Sequence, residues 1–174
     1  MIPVDGYGPV GDFELTNQDG QPFGSNDLKG KNWIGNFIFT RCQGPCPILS
    51  AKVAGLQKEF NKAGNLHFVS FSVDPDFDDP SVLKTYAKKY DADHKRWHFL
   101  TGKRKDIYNL IRTSFKLAVE EPPSASTDVM HILHSLHLVF VDQDGKIEGY
   151  YNSTDPRAVS DLKLKLSHLV KHPS

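Results

Sequence analysis

From Trp33 to Phe39 the chain is dominated by apolar and aromatic side chains, and beyond it Leu49, Val53, Leu56 and Phe60 recur at helical spacing. The first run predicts a buried strand and the second an amphipathic helix over about 48–62, with Ala63-Gly64-Asn65 closing it. Leu66 to Val73 reads as the next strand. Asp79-Pro80 then makes an N-cap and first-turn pair for a helix reaching about Tyr90, with Leu83, Tyr86 and Tyr90 on one side. Trp97 to Leu100 is a short strand and Thr101 a helix cap. Ile107, Leu110, Ile111 and Phe115 mark a further helix, and Val159, Leu162, Leu166 and Leu169 a last one behind Asp155-Pro156. Two Asp-Gly turns signal hairpins: Asp19-Gly20 between Phe13–Leu15 and Pro22-Phe23, and Asp144-Gly145 between Leu136–Asp142 and Ile147–Tyr151.

The order is therefore hairpin, strand, helix, strand, helix, strand, helix, hairpin, helix. It mixes parallel crossovers with antiparallel pairs and predicts an α/β, thioredoxin-like fold with an added N-terminal β-hairpin. At 174 residues the chain reads as a single domain, 1–174, with a Gly- and Pro-rich extended lead-in over 1–11. Residues 116–133 carry no clear period; a loop of that length within a compact domain is usually functional or mobile.

Lys+Arg and Asp+Glu both total 21, and no run of like charge breaks the balance, so an electrostatic footprint for nucleic acid is excluded. No stretch approaches the roughly 20 apolar residues of a membrane span. Met1-Ile2-Pro3-Val4-Asp5 has neither the basic flank nor the apolar run of a signal peptide. So abrupt a start is the one expected of a chain trimmed of an N-terminal anchor.

Both cysteines, Cys42 and Cys46, fall where the buried strand gives way to the helix. A helix N-terminus presents unpaired N–H groups and the positive end of its dipole, which favour the thiolate, the form that is both nucleophile and metal ligand. Pro47 suits the first helical turn, and Gly44-Pro45 bends the loop so that both sulfurs can point the same way. The Cys-x-x-x-Cys spacing alone admits a disulfide, a soft-metal site, both in different oxidation states, or two cysteines that merely pack. Two thiolates leave Cu(I) under-coordinated, and an imidazole is the natural third ligand. Three histidines cluster late in the chain. His134 stands just before a strand whose entry loop runs beside the redox turn of a thioredoxin-like fold; His137 falls inside the strand on the face of Val139 and Val141, as a packed histidine; His131 is undecided. His67, His94, His98, His168 and His172 have the exposed or strand-borne settings of ordinary histidines.

Several segments together resemble the Sco/SenC family of copper-binding, thioredoxin-like proteins that help assemble the binuclear copper site of cytochrome c oxidase. They are the opening Phe13-x-Leu15-x-x-x-x-Gly20, Phe39-Thr40-x-Cys42-x-x-x-Cys46-Pro47, Ser70-x-Ser72-Val73-Asp74-Pro75-x-x-Asp78, Leu100-Thr101-Gly102, and His134-Ser135 ahead of Asp144-Gly145. The resemblance implies copper, Cu(I) or Cu(II), held by Cys42, Cys46 and His134, with Asp74 and Asp78 at acidic positions near the site. It implies a metallochaperone rather than an enzyme, a monomer, anchored at the outer face of an inner membrane or in the periplasm. Its partners would be the copper-site subunit of the oxidase, other copper proteins or thioredoxin-like reductants. Asp74 and Asp78 either tune the site or dock a partner, or only stabilise an Asp-Pro turn and a helix start. Where family members commonly place Asp before the ligand histidine and Tyr beyond it, this chain has Leu133 and His137.

The rival reading is a thiol-disulfide oxidoreductase or redox sensor, with Cys42 attacking and Cys46 resolving. Such proteins usually place a Pro in the loop facing the cysteines, and here no Pro is nearer than Pro123. A peroxidase of the peroxiredoxin type, with Thr40 two residues before Cys42, ranks behind it.

Overall fold

In the computed structural model, residues 8–63, 65–117 and 136–171 are described. A five-stranded sheet in the order β5-β4-β3-β6-β7 is built from β3 (Asn32–Ile38), β4 (Leu66–Ser72), β5 (Trp97–Leu100), β6 (His137–Val141) and β7 (Ile147–Asn152). Strands β3, β4 and β5 run parallel; β6 and β7 join antiparallel beyond β3. The crossovers are α1 (Pro45–Glu59) between β3 and β4 and α2 (Pro80–Lys89) between β4 and β5. Then come α3 (Arg104–Thr113) and, after β7, α4 (Pro156–Lys171). The predicted hairpin is present as β1 (Glu14–Thr16) and β2 (Pro22–Gly24), followed by a short 3₁₀ turn over Ser25–Leu28. It is a separate two-stranded ribbon, tied to the end of β5 by paired backbone hydrogen bonds between Thr16 and Thr101, 2.8 and 2.9 Å.

Every residue of β3 and β4 is buried. That is the condition under which strands of a parallel sheet read as nearly continuous apolar runs, and it explains why these two were the plainest in the sequence. Trp33, Phe37 and Phe71 share one face, where they meet Phe13 from the hairpin side and Phe115 from the end of α3. On the other face α2 lays Tyr86 against Phe99 and reaches α1 through a 2.7 Å hydrogen bond between Tyr86 and Ser50. Helix α4 joins α1 through the Lys163–Glu59 ion pair. The central strand thus ends, at Ile38, between two closed layers, and the cysteine turn emerges from there.

Three local expectations shift. Helix α1 begins at Pro45 and ends at Glu59, earlier at both ends than expected: Gly44 is its N-cap and Pro45, rather than bending a loop, occupies the first turn. Its C-cap is Phe60, and Gly64 lies outside the described residues. Thr101 is not the cap of α3; its backbone is taken up by Thr16 and Lys103 holds the cap position. Asp79, by contrast, caps α2 as expected, its carboxylate accepting from Val82 N at 2.9 Å.

Candidate metal and redox site

Beyond β3 the chain makes a tight turn in which Cys42 N donates to Phe39 O at 3.1 Å. No side chain caps the N-terminus of α1 in the ordinary way. Its amide is met instead by sulfur: Cys46 N donates to Cys42 Sγ at 3.4 Å. The first helical turn therefore brings the two cysteines together, and it presents one of its unpaired donors to the sulfur of the other arm.

Both thiols are free and buried, Cys42 at 4% and Cys46 at 1% exposure. At Cys46 the expected thiolate bias is overturned. Burial pushes its thiol up, the hydrogen bond with Cys42 pushes further, and a backbone hydrogen bond at Phe39 opposes them. Desolvation of a charged sulfur outweighs the helix terminus at this buried position.

The turn after β4 grips the residues just before Cys42. Fully buried Asp78 accepts from Thr40 N at 3.1 Å, from the Thr40 hydroxyl and from the Ser72 hydroxyl at 2.7 Å. Burial pushes its carboxyl above the ordinary range; those hydrogen bonds pull the other way, and Asp74 adds to the rise. Asp74 binds the neighbouring residue, with Arg41 Nε and Nη2 both 2.8 Å from its Oδ2. The Arg41 guanidinium lies over the exposed Phe77 ring, 4.6 Å from its centroid. The two carboxylates thus each do more than hold an Asp-Pro turn. Sequence reasoning singled out Asp74 and Asp78 but missed their partners Thr40, Arg41 and Ser72, although each of them lies in a segment it quoted.

Of the three late histidines, His131 and His134 lie outside the described residues. His137 opens β6 half-buried, edge-on to Tyr150 at 6.5 Å, and burial lowers its basicity. Among the described residues no group of three or more His, Cys, Asp or Glu could hold a metal ion. Two histidines taken for ordinary are buried against each other. His67 on β4 and His98 on β5 stand Nδ1 to Nε2 at 3.2 Å, with Phe23 stacked on His98 at 4.3 Å. They lie at the start of their strands, away from the cysteine turn.

Among the described residues no helix is long and apolar enough to cross a membrane. Three solved structures share the fold. A SCO1/SenC family lipoprotein from Bacillus anthracis str. Ames is 36% identical, over 94% of this chain and 95% of that one, with a TM-score of 0.81. BsSco, described as a member of the Sco family of cytochrome c oxidase assembly proteins in which a disulfide switch was identified, is 30% identical over 95% of each chain, with a TM-score of 0.80. ScoI of Bradyrhizobium japonicum, solved with copper bound, is 26% identical over 88% of this chain and 97% of that one, with a TM-score of 0.72. The family profile described as SCO1/SenC matches residues 6–168, and the chain belongs to that family.

Proposed function

We propose that this protein is a copper metallochaperone that holds copper through Cys42, Cys46 and His134. It delivers the metal to, or reduces the cysteines of, the binuclear copper site of cytochrome c oxidase. The observation that carries the reading is the pair of buried, free thiols, Cys42 in the turn that leads into α1 and Cys46 in its first turn, with Cys46 N on Cys42 Sγ. Two sulfurs on one short turn, shielded from water, are a soft donor pair that suits Cu(I), and an imidazole completes a low-coordinate set. The copper in the B. japonicum relative and the oxidase-assembly role of BsSco support it.

Both thiols must be reduced and deprotonated to bind. An oxidant of the glutathione-disulfide class that takes two electrons and two protons from the dithiol leaves a Cys42–Cys46 disulfide, two reduced glutathiones and no thiolate for the metal. Redox state thereby gates copper. The domain, 1–174, acts as one unit and as a monomer, held at the outer face of an inner membrane or in the periplasm by an N-terminal anchor; the lipoprotein nature of the B. anthracis relative supports the anchoring. A second reading, thiol–disulfide exchange with other proteins or redox sensing, is favoured by the same Cys46 N–H, which readies Cys42 as the attacking sulfur.

The gate is tested by titrating Cu(I) anaerobically into protein pre-reduced or pre-oxidised with glutathione disulfide. The reduced form is expected to take one equivalent tightly and the disulfide form to bind at least about a hundredfold more weakly. Equal binding by the two forms would remove the cysteines from the site.

A further inference from the structure

We infer that Asp78 is a positioning residue for the cysteine turn, acting through Thr40: it fixes the Cys42 arm so that Cys42 Sγ stays on the Cys46 amide, in the arrangement that takes up the metal. The inference rests on the copper reading for its purpose, while the clamp itself is geometric.

The buried carboxylate receives three donors, and they divide by where they sit. Ser72, at the end of β4, lies on the same side of the junction as Asp78 itself. Thr40 is two residues before Cys42 and gives both its N–H and its hydroxyl. Asp78 in turn is fixed to its own turn, its N–H donating to Asp74 O at 2.9 Å. The exit of β3 is further tied to the same turn by Val73 N on Ile38 O at 2.9 Å. From that anchored end the chain runs through Thr40 to the Cys42 N–Phe39 O turn, and the sulfur arrives over α1. Cys46 is fixed independently by the helix. Between them lie Gln43 and Gly44, both exposed, and a Cβ placed on Gly44 would meet nothing within 4 Å. Movement between open dithiol and disulfide is therefore absorbed at 43–44, while the Asp78–Thr40 contact favours the open form. Arg41–Asp74 repeats the grip one residue on, but with the Arg41 side chain 35% exposed it is the weaker of the two.

Two single-hydroxyl deletions separate positioning from mere structure. Thr40→Val and Ser72→Ala each remove one hydroxyl hydrogen bond to the same carboxylate, and both are expected to lower the melting temperature. Only Thr40→Val is expected to weaken Cu(I) binding, by about tenfold, and to shift the dithiol–disulfide equilibrium against the glutathione couple by about tenfold towards the disulfide. Asp78→Asn is expected to follow Thr40→Val in both readouts. If the two hydroxyl variants change copper affinity and the glutathione equilibrium alike, or neither changes them, Asp78 is only a fold residue and the inference fails. If wild-type protein takes no Cu(I), the copper reading fails; the glutathione equilibrium still decides the clamp, a shift confined to Thr40→Val and Asp78→Asn supporting it and a common or absent shift overturning it.

Discussion

Lowering the pH from 7 to 4.5 is expected to remove about 4–5 kcal/mol of folding stability through His67 and His98 alone. Burial holds both rings down to about 4, against an ordinary value of 6.5. Lys31 and Arg96 press on His67 in the same direction and Asp93 weakly opposes; for His98, His67 and Lys31 depress, and Asp27 and Asp93 oppose. Both groups bind protons more weakly folded than unfolded. Above pH 6.5 neither state is protonated and the pair has no effect. Below it the unfolded chain takes up protons that the folded chain refuses, so stability falls with pH until the folded rings titrate near 4. His67 Nδ1 and His98 Nε2 stand 3.2 Å apart, so the second proton is the harder to place. Asp78, whose carboxyl is raised, works in the opposite sense and stabilises as pH falls through its own titration. The loss is read as the change in urea midpoint between pH 7 and pH 4.5. A His67→Phe/His98→Phe variant is expected to flatten that dependence, while an unchanged slope would show that the pair does not titrate as described.

The second large effect lies in the core. Phe71→Ala is expected to destabilise the protein by about 3–5 kcal/mol. Phe71 is fully buried and is the ring on which one whole face converges, with centroids of Phe37 and Phe115 at 5.4 Å, Phe13 at 5.7 Å and Trp33 at 6.3 Å. Its neighbours belong to β3, to the hairpin segment and to the end of α3, so no single element can move to fill the space. Phe37 is also its register partner on β3, which places the hole one strand from the exit to the cysteine turn. Urea unfolding with an unchanged slope and a lower midpoint is the expected record. Leu164→Ala, on a side chain 68% exposed, is expected to stay within about 0.5 kcal/mol of wild type.

Much of this architecture was legible because its signals are local. Continuous apolar runs marked β3 and β4, and the Asp-Gly pairs marked both hairpins, whose Gly20 and Gly145 take φ of 75° and 79° as such turns require. The start of α1 was misplaced because Gly44-Pro45 satisfies two rules equally: a bend in a loop, or an N-cap followed by Pro in the first turn. The features missed were the non-local ones. His67 and His98 are 31 residues apart and become neighbours only through the β4–β5 register. Thr40 and Asp78 are 38 apart and meet because the ends of two parallel strands lie side by side. Periodicity carries no information about such pairs; the segments that resemble the family hold Thr40 and Asp78, and His67 and His98 lie in none of them. His134, the third ligand of the proposed set, lies outside the described residues, and its role rests on the resemblance and on coordination chemistry.

The decisive measurement is an anaerobic Cu(I) competition titration of the reduced protein against a chromophoric chelator, with wild type, Cys46→Ser and His134→Ala side by side. One copper held tightly by wild type, with both variants weakened by at least about tenfold, is the predicted result, and it would leave His131 and His137 as bystanders. Wild type that competes poorly, or a His134→Ala variant that matches it, would contradict the three-ligand site and turn the function towards dithiol–disulfide exchange.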